Sequence, residues 1–181
     1  MEDRPTRLAP LPEDQWDDRV RAALAVMLPE PWRNPRRAGN ALATLVHHPE
    51  LAEAFLTFNT HLLMRSTLPP RVRELAIVRV AGRRGCAYEA AHHARMAGKA
   101  GLSEAEIEAA AGGKASGELE AAVLAAVDEL DSDSTLSDRT WATLGAHLDE
   151  RQRMDLIFTI GAYCLLAMAF NTFGVKLETE R

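Results

Sequence analysis

The chain has 181 residues, 47% of them hydrophobic and 26% charged, and a formal net charge of -5 at pH 7. This length and composition are typical of one globular domain with its own core, and the acidic net charge excludes a general electrostatic attraction to nucleic acid. The two cysteines, Cys86 and Cys164, lack the spacing of a disulfide framework, and the N-terminal segment lacks the apolar run of a secretory signal. The sequence therefore predicts a protein of the cytoplasm.

The first third of the chain combines prolines with helical periodicity. Residues 1–15 contain three prolines and are predicted to form an extended arm. Apolar residues at three- and four-residue steps predict helices over 14–27 and 49–64, with a short helix over 41–47 between them. The proline-rich stretch 29–39 is predicted to be a loop.

The rest of the chain is predicted to be helical as well. No stretch alternates between apolar and polar residues with the period of a strand, so the predicted fold class is all-α, with eight or nine helices in one domain over residues 16–175. A charged tail, 176–181, follows. The remaining predicted helices span 70–83, 86–98, 103–111 and 116–130, and two more begin at Ser137 and near Asp149.

The last helix contains the most apolar run of the chain, Leu156–Phe170. This run is shorter than the roughly 20 residues that a membrane-spanning helix needs, and it contains Thr159, Gly161 and Tyr163. We interpret it as a buried helix or an oligomer surface. We therefore expect a homo-oligomer and no membrane partner.

Positive charge is concentrated between Arg65 and Arg95, where seven arginines stand against two carboxylates, Glu74 and Glu89. Such a basic segment in an acidic protein can attract a small anionic ligand. The same pattern is typical of a solvated helix face in a chain whose basic residues are mostly arginine. Both interpretations stay open at this stage.

The densest group of reactive side chains lies within eight residues of one predicted helix. On that helix Cys86, Glu89 and His93 occupy positions i, i+3 and i+7 and share one face, whereas His92 points about 100° away. Glu74 lies twelve residues before Cys86 on the preceding helix and can reach the same face if the two helices pack antiparallel. The pattern predicts one site with a thiol, two carboxylates and an imidazole.

Two kinds of chemistry suit this cluster. An imidazole near a thiol favours the thiolate, and a helix N-terminus at Cys86 with Arg83 and Arg84 close by is expected to lower the thiol pKa further. A carboxylate beside an imidazole instead forms a general acid–base pair. A structural role is the alternative, with Cys86 as a small buried apolar residue and Glu89 and His93 as an exposed helix pair.

Metal binding is a further possibility. Glu89-x-x-His92 matches half of a helix-bundle di-iron signature, but the chain contains no second Glu-x-x-His. Cys86, Glu89 and His93 are permitted zinc ligands, but their spacing follows no usual zinc pattern. We therefore predict no metal and no cofactor.

The same residues carry a resemblance to a known family. The matching positions are Arg73-Glu74-Leu75, the run Arg83 to Glu89, His93, and Ala100 to Ser103 with Glu106. With these residues the sequence resembles the carboxymuconolactone decarboxylase family, which includes the alkylhydroperoxidase D-like proteins. The likeness extends over residues 39–178. It implies an all-α fold whose subunits assemble through helical surfaces into trimers or hexamers.

In peroxidase-like members of that family, a Cys-x-x-Cys pair works with a glutamate and a histidine. The resemblance places Glu74 at that glutamate, Cys86 at the first cysteine and His93 at the histidine, whereas Glu89 stands where the second cysteine would be. Without a second thiol nearby, a local disulfide cycle cannot resolve an oxidised Cys86. The decarboxylases of the family act on a carboxylated unsaturated lactone, which is an anion.

Three functions therefore remain. The first is a cofactor-free acid–base enzyme on a small anionic molecule, in which Glu89 and His93 move the proton and Glu74 orients His93. The second is a one-cysteine peroxidase, in which Cys86 attacks peroxide and an external thiol restores it. The third is a non-enzymatic oligomer that binds a ligand. Candidate supporting residues are Tyr88, as a hydrogen-bond donor, His92, and Arg83, as part of an arginine clamp for a carboxylate.

Overall fold

The computed structural model describes residues 4–178, which form helices and connecting segments with no strand among them. They divide into two compact units: residues up to Arg65 together with those from Phe170 onward, and residues Ser66–Ala169. The predicted all-α class is confirmed. The division into arm, single domain and tail stays a prediction, and residues 1–3 of the arm and 179–181 of the tail lie outside the described residues.

The described part of the first unit contains three α-helices, one π-helical turn and two 3-10 turns. The α-helices are α1 (Asp18–Ala23), α2 (Pro35–Leu45) and α3 (Pro49–Thr60), the π-helical turn is His61–Arg65, and the 3-10 turns are Glu13–Gln15 and Glu30–Trp32. Helices α1 and α2 both pack against α3. The core of this unit consists of Leu11, Trp16, Val20, Ala23, Leu24, Ala43, Val46, Ala52 and Leu56.

Helix α1 begins four residues later than the apolar periodicity predicted, because Asp17 caps it. The Asp17 carboxylate accepts the backbone N–H of Val20 at 2.9 Å. This bond satisfies one of the N–H groups that the first helical turn leaves without a backbone partner. The start of the helix is therefore decided by the cap and not by the first apolar residue of the repeat.

The stretch 29–39, predicted to be a loop, contains the start of α2. The side chain of Asn34 accepts the N–H of Arg37, and Pro35 occupies the first helical position. Asparagine at the cap followed by proline is a favourable helix start, and this pair is the signal that the prediction missed. Gly39, at φ 81°, interrupts the helix before it resumes.

The second unit, fully described, contains five helices and most of a sixth. They are α4 (Pro70–Arg84), α5 (Ala87–Lys99), α6 (Glu104–Ala111), α7 (Glu118–Asp133), α8 (Asp138–His147) and α9 (Glu150–Phe173), whose residues up to Ala169 belong to this unit. Helix α4 is central, because it packs against α5, α6 and α7. Its buried residues are Val72, Glu74, Leu75, Ala76, Ile77, Val78, Val80 and Ala81.

The turn between α4 and α5 places the reactive cluster. Gly85 adopts the left-handed conformation at φ 56°, which glycine reaches without steric cost, and its N–H bonds to the carbonyl of Gly82. The N–H of Cys86 then bonds to the carbonyl of Ala81 at 3.0 Å. These bonds end α4 and set Cys86 as the N-cap of α5.

Helix α9 is longer than the apolar run Leu156–Phe170 from which it was predicted, because the helix also includes a polar first turn before that run. By length and composition it is able to cross a membrane, but 44% of its most apolar 18-residue stretch is buried within the protein. Its inner face also carries Asp155, whose Oδ2 accepts the N–H and the hydroxyl of Thr67 at 2.6 and 2.7 Å. These contacts are those of a core helix.

The close packing of α4 against α6 gives a testable consequence. A Cβ at Gly82 would lie 2.5 Å from the carbonyl oxygen of Ala111, an atom of the backbone. Gly82→Ala should therefore destabilise the protein by about 1–3 kcal/mol in urea unfolding, because the two helices must separate. The matched control is Gly98→Ala on α5, where a Cβ meets no atom within 4 Å and a small stabilisation is expected. Equal effects of the two substitutions would contradict the packing.

Candidate active site

One buried face of α5 carries the cluster that the sequence predicted. Cys86 is the N-cap residue, and Glu89 and His93 follow it along the helix; all three side chains are buried. The predicted contact from α4 is also present, because Glu74 Oε2 lies 2.8 Å from His93 Nδ1. The structure thus brings the four residues to one place in the second unit, while their catalytic roles stay a prediction.

Glu74 is fully buried and orients His93. Its Oε1 accepts hydrogen bonds from the guanidinium of Arg73 at 3.0 Å, and its Oε2 faces the His93 ring. A carboxylate only accepts hydrogen bonds, so the proton of the neutral imidazole lies on Nδ1. This leaves His93 Nε2 as the nitrogen that can take up and release protons.

Glu89 is held in an environment that favours its neutral form. The side chain is 2% exposed, and no N–H or O–H group of the described residues donates a hydrogen bond to either carboxyl oxygen. Burial raises the pKa of Glu89 to about 8, against a smaller opposing effect of the Cys86 thiol. Glu89 therefore carries its proton at neutral pH for most of the time.

The pKa of the Cys86 thiol is raised, whereas the sequence predicted that it would be lowered. Burial, and then the nearby Glu89 carboxylate, raise the pKa of its thiol to about 12. The expected lowering relied on Arg83 and Arg84, but both pair with Asp131 on α7. The positive charge near the start of α5 is thus compensated, and burial decides the direction.

Three further arginines of the basic segment, Arg71, Arg73 and Arg79, are engaged in the same way. Carboxylates of the protein itself accept their hydrogen bonds, and much of the positive charge is compensated inside the second unit. A free arginine clamp for a substrate therefore gains no support from these contacts, and Arg83 belongs to the network with α7. The pairs are Arg71–Glu106, Arg73–Glu74, Arg79–Asp128, Arg83–Asp131 and Arg84–Asp131.

The two remaining candidate residues, Tyr88 and His92, contact each other. Their rings stack with centroids 4.4 Å apart and planes inclined by 27°. Arg95 donates from Nη2 to Nδ1 of His92 at 3.2 Å. His92 thus forms part of a second, more exposed group on α5, while Tyr88 is buried beside the cluster.

Tyr163 on α9 is a site residue that the sequence pattern missed. Its ring meets the His93 ring edge-to-face, with centroids 4.8 Å apart, and it is almost completely buried. Burial and the charges of Glu74 and Glu89 raise its pKa, so the hydroxyl keeps its proton. Nothing local signals this contact, because Tyr163 lies seventy residues after His93 within an apolar helix.

Metal ligands and cavities of the second unit complete the description of the site. Within residues 4–178, no group of three or more His, Cys, Asp or Glu side chains is arranged to hold a metal ion. An apolar cavity of about 570 Å³ lies among α4, α5 and α6, lined in part by Val78, Ala94, Leu102 and Ile107, and its lining includes none of the four cluster residues. The chemistry that the cluster itself offers is proton transfer through Glu89 and His93, with a protonated thiol beside them.

The sequence model of the carboxymuconolactone decarboxylase family matches residues 49–132, a span that contains Glu74, Cys86, Glu89 and His93. Over that span, just under half of the chain, the sequence is similar to this family. The resemblance predicted from the sequence is thereby confirmed. A comparison with curated proteins found no match.

Solved structures share the fold of this chain. A peroxidase-related protein from Ralstonia eutropha JMP134, with an alkylhydroperoxidase AhpD core, has a TM-score of 0.80 at 18% identity, and the match covers 96% of this chain and 93% of that one. The debrominase Bmp8 has a TM-score of 0.73 at 18% identity, with 96% and 93% covered. A protein of unknown function from Agrobacterium tumefaciens, proposed to be the antioxidant defence protein AhpD, has a TM-score of 0.66 at 24% identity, with 74% and 94% covered. At these identities the likeness establishes the fold.

Proposed function

We propose that this protein is a cofactor-free acid–base enzyme that acts on a small anionic organic substrate, with Glu89 as its proton donor. The state of Glu89 is the observation that carries the proposal. Its carboxyl group is buried without an N–H or O–H donor among the described residues, and burial raises its pKa to about 8. A carboxyl with that pKa holds its proton at neutral pH and can still release it, as a general acid must.

His93 is suited to return the proton to Glu89. It lies one helical turn after Glu89 on α5, and the Glu74 hydrogen bond keeps its Nε2 free of the ring proton. Tyr163 packs against the ring on another side and limits its rotation. The ring is therefore held in one orientation and one tautomer, which favours repeated proton transfer along one path.

The reaction of this proposal is a decarboxylation assisted by protonation at carbon. The bond between the substrate carbon and its carboxylate breaks, carbon dioxide leaves, and the bonding electron pair stays on the substrate as an enolate. Glu89 gives its proton to that carbon and becomes a carboxylate. His93 then passes a proton from solvent to Glu89, which restores the starting state without any redox step.

The charge of the substrate supports the same role for Glu89. An anion next to a carboxyl group disfavours its ionised form, so a bound carboxylate would keep Glu89 protonated until the reaction consumes the proton. The substrate class, a homo-oligomeric state and a cytoplasmic location belong to this proposal as expectations from the sequence. A carboxylated unsaturated lactone, as used by the decarboxylases of the family, is the first compound to test.

A one-cysteine peroxidase is the second candidate. It is favoured by the position of Cys86 at the N-cap of α5 beside Glu89, which could accept the thiol proton, and by the peroxidase-related proteins that share the fold. The thiol pKa of about 12 opposes it, because the thiolate is the form that attacks peroxide. We therefore rank it below acid–base catalysis.

Substitution of Glu89 tests the proposed reaction. With a carboxylated unsaturated lactone as substrate, Glu89→Gln should lower kcat at least about 100-fold, because the amide cannot donate the proton. Cys86→Ala should keep most of the turnover, and kcat/KM of the wild type should fall as the pH rises past about 8. Turnover is followed by ultraviolet absorbance and by release of carbon dioxide.

The matched control is Glu53→Gln, which changes an exposed glutamate on α3 and should leave turnover unchanged. Full activity of Glu89→Gln would contradict the assignment of the proton donor. Peroxide consumption with a sulfenic acid trapped on Cys86, and no decarboxylation, would favour the second candidate. Brominated aromatic substrates are tested with 2,3,4-tribromopyrrole, the compound bound to a cysteine-to-alanine variant of Bmp8.

A further inference from the structure

The buried face of α9 places a tyrosine hydroxyl beside the acid–base cluster. Tyr163 is 2% exposed, and its ring meets the ring of His93 edge-to-face with centroids 4.8 Å apart. Its hydroxyl also lies within electrostatic reach of Glu74 and Glu89, because both carboxyl groups oppose its ionisation. The second unit thus holds a protonated phenol next to the proposed proton donor.

Neither of these carboxyl groups uses the hydroxyl proton of Tyr163. The oxygens of Glu89 accept no hydrogen bond from an O–H group of the described residues. The hydrogen bonds of Glu74 come from Arg73 and His93. Because buried tyrosine hydroxyls usually have a hydrogen-bond partner, Tyr163 and Glu89 together mark a place where a polar group of a ligand fits.

The proposed reaction needs a hydrogen-bond donor at a second position. When the carboxylate leaves, the bonding electron pair passes to the carbonyl oxygen of the substrate, which becomes the oxyanion of an enolate. Glu89 gives its proton to carbon and therefore cannot also satisfy that oxygen. A donor fixed at the position where such a charge develops is among the largest contributions that a protein makes to catalysis.

The other side chains of the cluster do not supply this donor. The Nδ1 proton of His93 is directed to Glu74, and a thiol such as that of Cys86 is only a weak donor. The guanidinium of Arg73 is already engaged with Glu74. Tyr163 is the strong neutral donor of this group, and it keeps its proton beside an anion because burial raises its pKa.

We propose that Tyr163 is a catalytic residue that donates a hydrogen bond to the enolate oxygen while Glu89 protonates the carbon. This inference rests on the proposed function, and it requires a substrate with a carbonyl group placed to accept the electron pair that the departing carboxylate leaves behind. The O–H bond of Tyr163 stays intact throughout. Carbon dioxide leaves, the negative charge moves to the enolate oxygen, and transfer of the Glu89 proton to carbon restores the carbonyl.

Tyr163→Phe tests the role of the hydroxyl, because the variant keeps the ring that contacts His93. With a carboxylated unsaturated lactone, kcat and kcat/KM should both fall by roughly 100-fold, because the hydrogen bond reaches its full strength only on the oxyanion. The fall of kcat/KM past a pH of about 8 should remain, since Glu89 sets it. An unchanged kcat, or a change in KM alone, would overturn the role.

Binding of an enolate mimic tests Tyr163 without any turnover. The probe is 4-nitrophenol, whose phenolate is planar and carries negative charge on oxygen, and the reference is 4-nitrotoluene, which has a similar shape without that oxygen. In equilibrium dialysis at neutral pH, the wild type should bind 4-nitrophenol more tightly than the reference. Tyr163→Phe should weaken binding of 4-nitrophenol roughly 10- to 100-fold and leave binding of 4-nitrotoluene unchanged, because a hydrogen bond to a charged oxygen is lost.

Urea unfolding separates this role from a structural one. Because neither Glu74 nor Glu89 uses the hydroxyl, the urea midpoint of Tyr163→Phe should equal or exceed that of the wild type. A lowered midpoint would overturn the proposal, and so would equal binding of 4-nitrophenol by the variant and the wild type. A wild type that binds the phenolate through Tyr163 but does not turn over the lactone would refute the decarboxylation and still support Tyr163 as the oxyanion donor.

Discussion

Replacing Glu89 by glutamine should stabilise the protein relative to the wild type by an amount that grows with pH, up to about 5 kcal/mol between pH 4.5 and pH 8. The folded protein holds the Glu89 proton up to a pKa of about 8, whereas the unfolded chain releases it near the ordinary value of 4.5. Between these values the unfolded state binds fewer protons, so the wild type loses stability as the pH rises. The variant has no such group and shows no such loss.

The measurement is urea unfolding of both proteins over this pH range at one protein concentration. The measured quantity is the unfolding free energy of Glu89→Gln minus that of the wild type. This difference should be constant below pH 4.5, increase between pH 4.5 and pH 8, and level off above pH 8. Glu53→Gln on the exposed face of α3 serves as the control and should give a flat difference. A flat difference for Glu89→Gln as well would mean that Glu89 is ionised at neutral pH, and the proposed proton donor would be lost.

The geometry of the cluster was predictable because its causes are local. Three- and four-residue spacing puts Cys86, Glu89 and His93 on one face of any helix, and Gly85 marks the break that starts that helix. The contact of Glu74 with His93 followed from two adjacent helices joined by a short turn. Family resemblance named the same positions, so two independent arguments agreed.

The electrostatic state of the cluster was not predictable in this way, because its causes are tertiary. Local charge suggested a lowered thiol pKa at Cys86, but Arg83 and Arg84 turn to Asp131, which lies more than forty residues later on α7. Burial of the thiol and of Glu89 depends on helices that the local sequence does not contain. Tyr163 was missed for the same reason, since its role depends on which face of α9 meets His93.

The direction of the two pKa changes has a consequence for function. A site with a thiolate would be suited to peroxide, whereas a site in which both Cys86 and Glu89 hold protons at pH 7 is suited to donate one. By the family resemblance, Glu89 stands at the position of the second cysteine of the dithiol motif. In the proposed reaction it supplies the acid at a position where a peroxidase-like relative has its resolving thiol.

Removal of Glu74 should destabilise the protein by about 3–5 kcal/mol, because it takes away a buried charge that two other groups depend on. Glu74 is completely buried and accepts hydrogen bonds from Arg73 and His93. In Glu74→Ala the Arg73 guanidinium keeps its charge without this partner, and the His93 Nδ1 proton loses its acceptor. Urea unfolding at fixed protein concentration measures the loss.

The chain provides a matched control in Glu50, which also contacts one arginine and one histidine, Arg19 and His48, but at an exposed position. Glu50→Ala should cost at most about 1 kcal/mol, because exposed ion pairs contribute little. The double variant Glu74→Ala/His93→Ala should be less destabilised than the sum of the two single variants, since neither partner is then left without the other. Additive effects in the double variant, or equal losses for Glu74→Ala and Glu50→Ala, would show that Glu74 does not hold His93 in place. The proposed proton transfer would then lack the ordered imidazole on which it relies.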